Sequence, residues 1–291
     1  MNHLLILGAG FSGTAIGAAF RAAGFSVSGT TRGEDRMPTL AALGIEPILY
    51  DGHDVSPALA DAMARATHLV QSIAPGKDGD PLFRPGVTPP QSLMPHLRWA
   101  GYLSTVGVYG DHKGAWVDEE TPLHPVSTRS LERVEAEGRW LEFGRAAGLP
   151  VGVLRLAGIY GPGRNALRNI EQGTARRLIK KDQVFNRIRV EDIAGATLHL
   201  AEHNLGGIYN ITDDEPGPPQ DVVAEAARLM AVPTPPDIPF ETAELSPMAR
   251  SFYGENKRVS NRKIRAAGYE LRFPDYRRSL AELHASGRWR G

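Results

Sequence analysis

Gly8-Ala9-Gly10-Phe11-Ser12-Gly13 follows directly on the apolar run His3–Leu7 and precedes a small-residue stretch from Thr14 to Ala23. That placement reads as strand, turn and helix, the context in which a G-x-G-x-x-G spacing gains meaning. The first glycine allows a tight turn, the second lets backbone approach a pyrophosphate, and the third permits close packing of helix on sheet. The helix start around Phe11 and Ser12 offers unpaired N–H groups to an anion. The expected cofactor is a nicotinamide dinucleotide. A site for NAD usually ends its second strand with an acidic residue for the ribose 2′-hydroxyl, about 20 residues after the loop. Here that place reads Gly29-Thr30-Thr31-Arg32. Arg32 could grip a 2′-phosphate bidentately, which favours NADP over NAD, although Glu34 and Asp35 follow closely. Asp51, past a third strand, stands either at the adenine edge or as a solvated loop carboxylate.

Other residues invite chemistry with less support. From Arg164 to Arg189, eight Lys or Arg stand against Glu171 and Asp182, a local excess of six positive charges. A positive rim at a cleft would hold a small anionic substrate, with Arg187, Arg189 and Arg258 as the candidate contacts. Arg176–Lys181 within this stretch reads as an exposed basic helix that keeps the protein in solution. His199-Leu-Ala-Glu-His203 matches an inverted zinc-peptidase pattern, but His203 in a last helical turn, with Gly206 as the cap, is explained by the helix dipole alone. No metal is expected. Neither a G-x-S-x-G elbow nor a P-loop lysine occurs.

The elements that must position these residues alternate. Strand candidates at 25–29, 45–50, 67–73, 97–104 and 151–156 are interleaved with helices at 39–43, 58–66 and 129–147. This predicts a parallel, doubly wound α/β sheet. After about Tyr160 the pattern breaks, and seven of the 22 prolines fall between Pro216 and Pro239. A dinucleotide-binding domain is therefore expected over 1–160. A mainly substrate-binding region is expected over 161–291, with about 184–212 returning to the first domain. The 291 residues suffice for this core without disulfides. Equal numbers of basic and acidic residues, 33 each, argue against nucleic acid as a partner. No apolar run is long enough for a membrane helix, the early apolar stretch lacks a preceding Lys or Arg, and cysteine is absent, so the cytoplasm is the expected compartment.

An ordered series of motifs joins the glycine turn: Leu103-Ser-Thr-Val-Gly-Val-Tyr-Gly110, Glu119-Glu-Thr-Pro122, Leu154-Arg-Leu-Ala-Gly-Ile-Tyr-Gly-Pro162 and Arg189-Val-Glu-Asp-Ile193. Together they resemble the extended short-chain dehydrogenase/reductase superfamily, in its NAD(P)-dependent epimerase/dehydratase-like branch. The resemblance implies a Rossmann domain with a small C-terminal substrate domain. It puts Ser72, Ile73 and Ala74 near the cofactor ribose and Ala157 and Gly158 near the nicotinamide, and it makes Thr105 the hydroxyl on a substrate oxygen. It also implies a homodimer through helices flanking the sheet, where Leu131, Val134 and Leu141 face either a partner or the core. The departure is the superfamily's Tyr-x-x-x-Lys pair. Aligned on Glu137, its two positions hold Arg129 and Arg133, and residues 114–159 contain neither tyrosine nor lysine. A guanidinium cannot replace a phenol as acid. Arg133 either contacts the cofactor or lies on a solvated face. Tyr109, Tyr160, or a water held by Ser104 and Thr105 are left to supply a proton to an oxidoreductase or epimerase; otherwise the chain is a non-catalytic NADPH sensor or scaffold.

Overall fold

The computed structural model describes residues 2–84 and 86–291, the side chains of 247–249 excepted. In chain order it runs β1 (His3–Leu7), α1 (Phe11–Ala22), β2 (Ser26–Thr31), α2 (Met37–Ala42), β3 (Glu46–Leu49), α3 (Pro57–Arg65), β4 (His68–Gln71) and α4 (Pro90–Leu93). There follow β5 (Trp99–Thr105), β6 (Trp116–Val117), α5 (Thr128–Ala147), β7 (Val151–Leu156), β8 (Gly158–Tyr160), α6 (Ala166–Glu171), β9 (Arg177–Ile179) and β10 (Arg187–Arg189). The chain ends with α7 (Val190–Glu202), β11 (Gly207–Ile211), α8 (Pro219–Leu229), β12 (Asp237–Pro239), α9 (Pro247–Phe252), β13 (Arg258–Val259), α10 (Arg262–Ala266) and α11 (Tyr276–Ser286).

The seven-stranded sheet has the order β11-β7-β5-β4-β1-β2-β3. Parallel register places Leu4 opposite both Val27 of β2 and His68 of β4. This is the doubly wound sheet expected from the alternation. All five residues of β1 are buried, as a central parallel strand covered on both faces requires. Strand order reverses between β1 and β4, so the crevice beyond their carboxyl ends is bordered by the glycine turn and by Ser72–Ala74. Helix α5 starts on Ser127, whose hydroxyl accepts from Ser130 N, and stops at Gly148 in the left-handed region.

By internal contacts the chain divides into two units. One comprises Met1–Val108, Pro125–Arg155 and Ile193–Tyr209; the other comprises Tyr109–His124, Leu156–Asp192 and Asn210–Gly291. The division thus interleaves more often than a single boundary near 160 with one return. The core of the first unit gathers Leu5, Leu7, Leu69, Tyr102, Trp140 and Val153. That of the second is built from α6, α8 and α11 through Leu167, Ala226, Tyr276, Leu280 and Leu283.

Two local expectations are corrected. The basic segment 176–181 is no helix: Arg177–Ile179 form β9, paired in parallel with β12. Leu178 is buried while its neighbours are half-buried, a period of two that the flanking charges obscured. At the end of α7, Asn204 rather than Gly206 takes the positive φ, +50°. His203 lies just beyond the helix, and its Nδ1 is 2.9 Å from the His199 carbonyl.

Candidate active site

The glycine turn is built as its spacing demands. Gly8 has φ +91°, and Gly10 N donates to its carbonyl at 2.8 Å. A Cβ on Gly13 would stand 2.7 Å from Gly8 O and 3.1 Å from Ile6 Cγ2, so only glycine lets α1 approach β1 this closely. A Cβ on Gly10 would meet nothing within 4 Å. This open space lies where α1 begins, with no side-chain cap and no acidic residue in the first turn formed by Phe11, Ser12 and Gly13. The arrangement fits a pyrophosphate. Thr30 secures the turn: its hydroxyl accepts from Gly8 N and its carbonyl from Ala9 N, each at 2.8 Å.

At the end of β2 the Thr31 hydroxyl engages Gly33 N at 3.4 Å, which turns the chain. Arg32 beyond it is exposed, with no hydrogen bond or ion pair among the described residues. Arg36, which the sequence reading passed over, folds back so that Nη2 donates to Ala9 O at 3.4 Å. Asp51 is exposed, and its Oδ1 accepts from His53 N at 2.9 Å, a loop-forming role compatible with either expectation for it. Beyond β4, Ser72 N donates to Leu7 O at 2.9 Å, and Ile73 lies against the glycine turn, 3.0 Å from a Cβ placed on Gly8. Ala74 is exposed beside them.

Thr105 ends β5, half-buried, and its Oγ1 accepts from Gly107 N at 3.1 Å. The hydroxyl proton therefore remains available to a ligand oxygen. A Cβ on Gly107 would lie 3.4 Å from Thr105 Oγ1 and 3.2 Å from Ser130 Oγ, so two hydroxyls border one notch. Ser104 has a different task from the water-holding one expected. It is 4% exposed and donates to Glu137, whose carboxylate also holds the buried Arg155 guanidinium at 2.8 Å. Arg133 is half-buried, bonded to the Leu103 carbonyl and lying 6.0 Å from the Tyr102 ring centroid. It braces α5 on β5 rather than standing on a solvated face. Arg129 is exposed.

Within the second unit, Tyr109 is fully buried and donates to Asn210 Oδ1 at 2.7 Å. The hydroxyl proton of Tyr109 is thus engaged within the second unit. Tyr160 is half-buried; burial, then the Asp213 carboxyl, pushes its phenol well above the ordinary range, which weakens it as an acid. Ala157 N donates to Ile211 O at 3.1 Å, and Gly158, exposed, donates through N to Asn186 O at 3.0 Å.

Of the arginines expected to grip an anion, Arg187 and Arg189 are buried and Arg258 is half-buried. Arg189 is fully buried, bonded to Glu191 at 2.7 Å and Glu282 at 2.8 Å, and lies 4.1 Å from the Phe273 ring centroid. Arg187, buried, donates to the carbonyls of Phe185 and Gly217 at 3.0 and 3.2 Å. Arg258 bonds the Gly114 carbonyl. Sequence cannot separate a rim arginine from a buried one when the acceptors are backbone carbonyls far along the chain. In the same motif, Asp192 accepts from Tyr269, Arg272 N and Phe273 N, a structural role. Among the described residues no group of three His, Cys, Asp or Glu could hold a metal ion, and no helix is long and apolar enough to cross a membrane.

Comparison with known proteins follows this geometry. Residues 98–212 match the NAD dependent epimerase/dehydratase family. The chain is 43% identical to a functionally unknown conserved protein from Silicibacter pomeroyi DSS, over 99% of this chain and 100% of that one, with a TM-score of 0.87. A putative NAD-dependent epimerase/dehydratase from Methylobacillus flagellatus is 26% identical over 99% of both chains, with a TM-score of 0.73. Protein YeeZ of Escherichia coli (strain K12) is 29% identical over 289 residues, 94% of this chain and 97% of that protein. With its glycine turn at the switch point of a parallel sheet, the chain carries the NAD dependent epimerase/dehydratase family's domain over residues 98–212 and shares its fold with a putative NAD-dependent epimerase/dehydratase.

Proposed function

We propose that the chain binds NADP(H) at the glycine turn and acts as an oxidoreductase or epimerase on a small carbonyl or sugar-derived substrate. The observation that carries the reading is the open space at Gly10, directly before the uncapped start of α1. Held at the glycine turn, a dinucleotide would supply or accept the hydride. Thr105 donates its hydroxyl proton to the substrate oxygen and orients it. Because Tyr109 and Ser104 are committed elsewhere, the proton gained or lost at that oxygen passes through water at Thr105.

Preference for NADP over NAD rests on Arg32, an exposed guanidinium at the end of β2, suited to a phosphomonoester and not to a ribose diol. Titration of Arg32→Glu with NADPH and NADH tests it. The expected result is a loss of NADPH affinity of about tenfold or more with NADH affected far less. Equal effects on both would overturn the assignment. A second reading, a non-catalytic NADPH sensor, is favoured by the commitment of Tyr109 and Ser104 and by the missing Tyr-x-x-x-Lys pair. NADPH consumption upon addition of carbonyl compounds, or conversion of a sugar-derived compound to its epimer without net consumption, belongs to the first reading; binding with neither belongs to the second.

A further inference from the structure

Behind the Ser72–Ala74 segment lies a buried polar chain that the cofactor reading does not use. Gln71, fully buried at the end of β4, accepts from Ile73 N through Oε1 at 3.0 Å and donates through Nε2 to Asp80 Oδ1 at 2.9 Å. Asp80, 3% exposed, also accepts from Leu82 N at 2.9 Å and, through Oδ2, from Trp140 Nε1 of α5 at 3.1 Å. Around it the core is apolar, with Leu82, Tyr102 and Trp140 in one cluster. Burial pushes the Asp80 carboxyl above its ordinary range, opposed by these hydrogen bonds.

Hydrophobic residues of like volume would fill this place without the desolvation cost of a carboxyl. What the polar chain adds is direction. It fixes the N–H of Ile73, and Ile73 is the residue packed on Gly8: a Cβ there would stand 3.0 Å from Ile73 Cγ1 and 3.1 Å from Ile73 N. Ser72 N is meanwhile tied to Leu7 O at the end of β1. One side of the crevice at the β1/β4 switch point is thus held from behind, through three elements of the first unit.

We infer that Gln71 and Asp80 are positioning residues for the dinucleotide, holding Ile73 against the glycine turn so that the crevice is preformed. The inference rests on the dinucleotide reading of that turn. Because the held segment lies across the crevice from Arg32, the effect is on any nicotinamide dinucleotide, with or without a 2′-phosphate. Loss of a single directed hydrogen bond here corresponds to about a tenfold change in affinity.

The test is titration of the full chain with NADPH and with NADH, alongside a thermal melt. Gln71→Leu is expected to weaken both dinucleotides about tenfold, in the same ratio, at a temperature where the protein is still folded. The exchanged pair Gln71→Glu with Asp80→Asn restores a carboxylate–amide bond and an acceptor for Ile73 N, and is expected to recover affinity to within about threefold of the parent. Unchanged affinity in Gln71→Leu, or no recovery in the exchanged pair when it is folded, overturns the inference alone. A parent protein that binds neither dinucleotide overturns the cofactor reading and this inference with it. Should Gln71→Leu not fold, hydrogen exchange of the parent decides: a protected Ile73 amide in the cofactor-free protein is expected, and exchange at the rate of an open loop overturns the proposal.

Discussion

Three hydroxyls near the end of β5 have separate fates although they share one motif. Thr105 keeps a proton to donate, Ser104 serves the Glu137–Arg155 pair, and Tyr109 is closed in against Asn210. The buried pair is the costliest of these to disturb. Removing one charge leaves the other desolvated without a partner, so Glu137→Gln is expected to lower the unfolding free energy by about 3–5 kcal/mol. Ser104→Ala removes only a hydrogen bond to a charged group and is expected to cost about 1.5–3 kcal/mol. Urea denaturation monitored by tryptophan fluorescence checks both. A Ser104→Ala protein as stable as the parent would return this hydroxyl to the list of groups free for a ligand.

The junction of β1 and α1 separates two uses of glycine that sequence treats alike. Gly13 has no room, and the atom in the way is backbone, so Gly13→Ala is expected to shift α1 from β1 and cost about 1–3 kcal/mol of stability. Gly10 has φ −78° and open space around it, so Gly10→Ala should melt at nearly the parent temperature. Its methyl group would occupy the approach of the pyrophosphate, and dinucleotide affinity is expected to fall at least tenfold. Thermal melts and NADPH titrations of the two variants, side by side, check the contrast. A Gly10→Ala protein that binds as the parent does would move the phosphate site away from this turn.

Two histidines at the amino ends of the strands, His3 on β1 and His68 on β4, give the stability of the molecule as a whole a pH-dependent contribution. His68 is buried at the start of β4, edge-on to Phe25 at 5.0 Å, with Nδ1 2.9 Å from Thr67 Oγ1. Burial, then the Arg98 charge, lowers its pKa from 6.5 to about 4. His3 on β1 is lowered as well, mainly by burial. The unfolded chain therefore binds protons more readily than the folded one between about pH 6.5 and 4. The contribution of these histidines to stability is full above that window and is lost as pH drops through it, by up to about 3 kcal/mol for His68 alone. His68→Phe keeps the aromatic contacts and removes the titration, so its denaturation midpoint should change less between pH 7 and pH 5 than the parent's. Identical pH slopes would place the titration elsewhere.

Much of this was legible before any fold. A run of buried apolar residues, three glycines at fixed spacing and a basic residue at the next strand end are local patterns, and the turn they specify closes within a few residues. Local periodicity likewise marked the strands of the sheet, whereas the short strand at Arg177–Ile179 was hidden because three residues carry too little alternation against flanking charge. Partnership across the chain was beyond reach: Arg189 with Glu282, Arg187 with Gly217, Tyr109 with Asn210, Asp80 with Trp140. Sequence by itself determined the sheet and the glycine turn, since both follow from near-neighbour sterics and the burial of periodic apolar faces. Only the tertiary structure decided which charges and hydroxyls remain for a ligand, because burial and hydrogen-bond partners are set by residues brought together from distant positions.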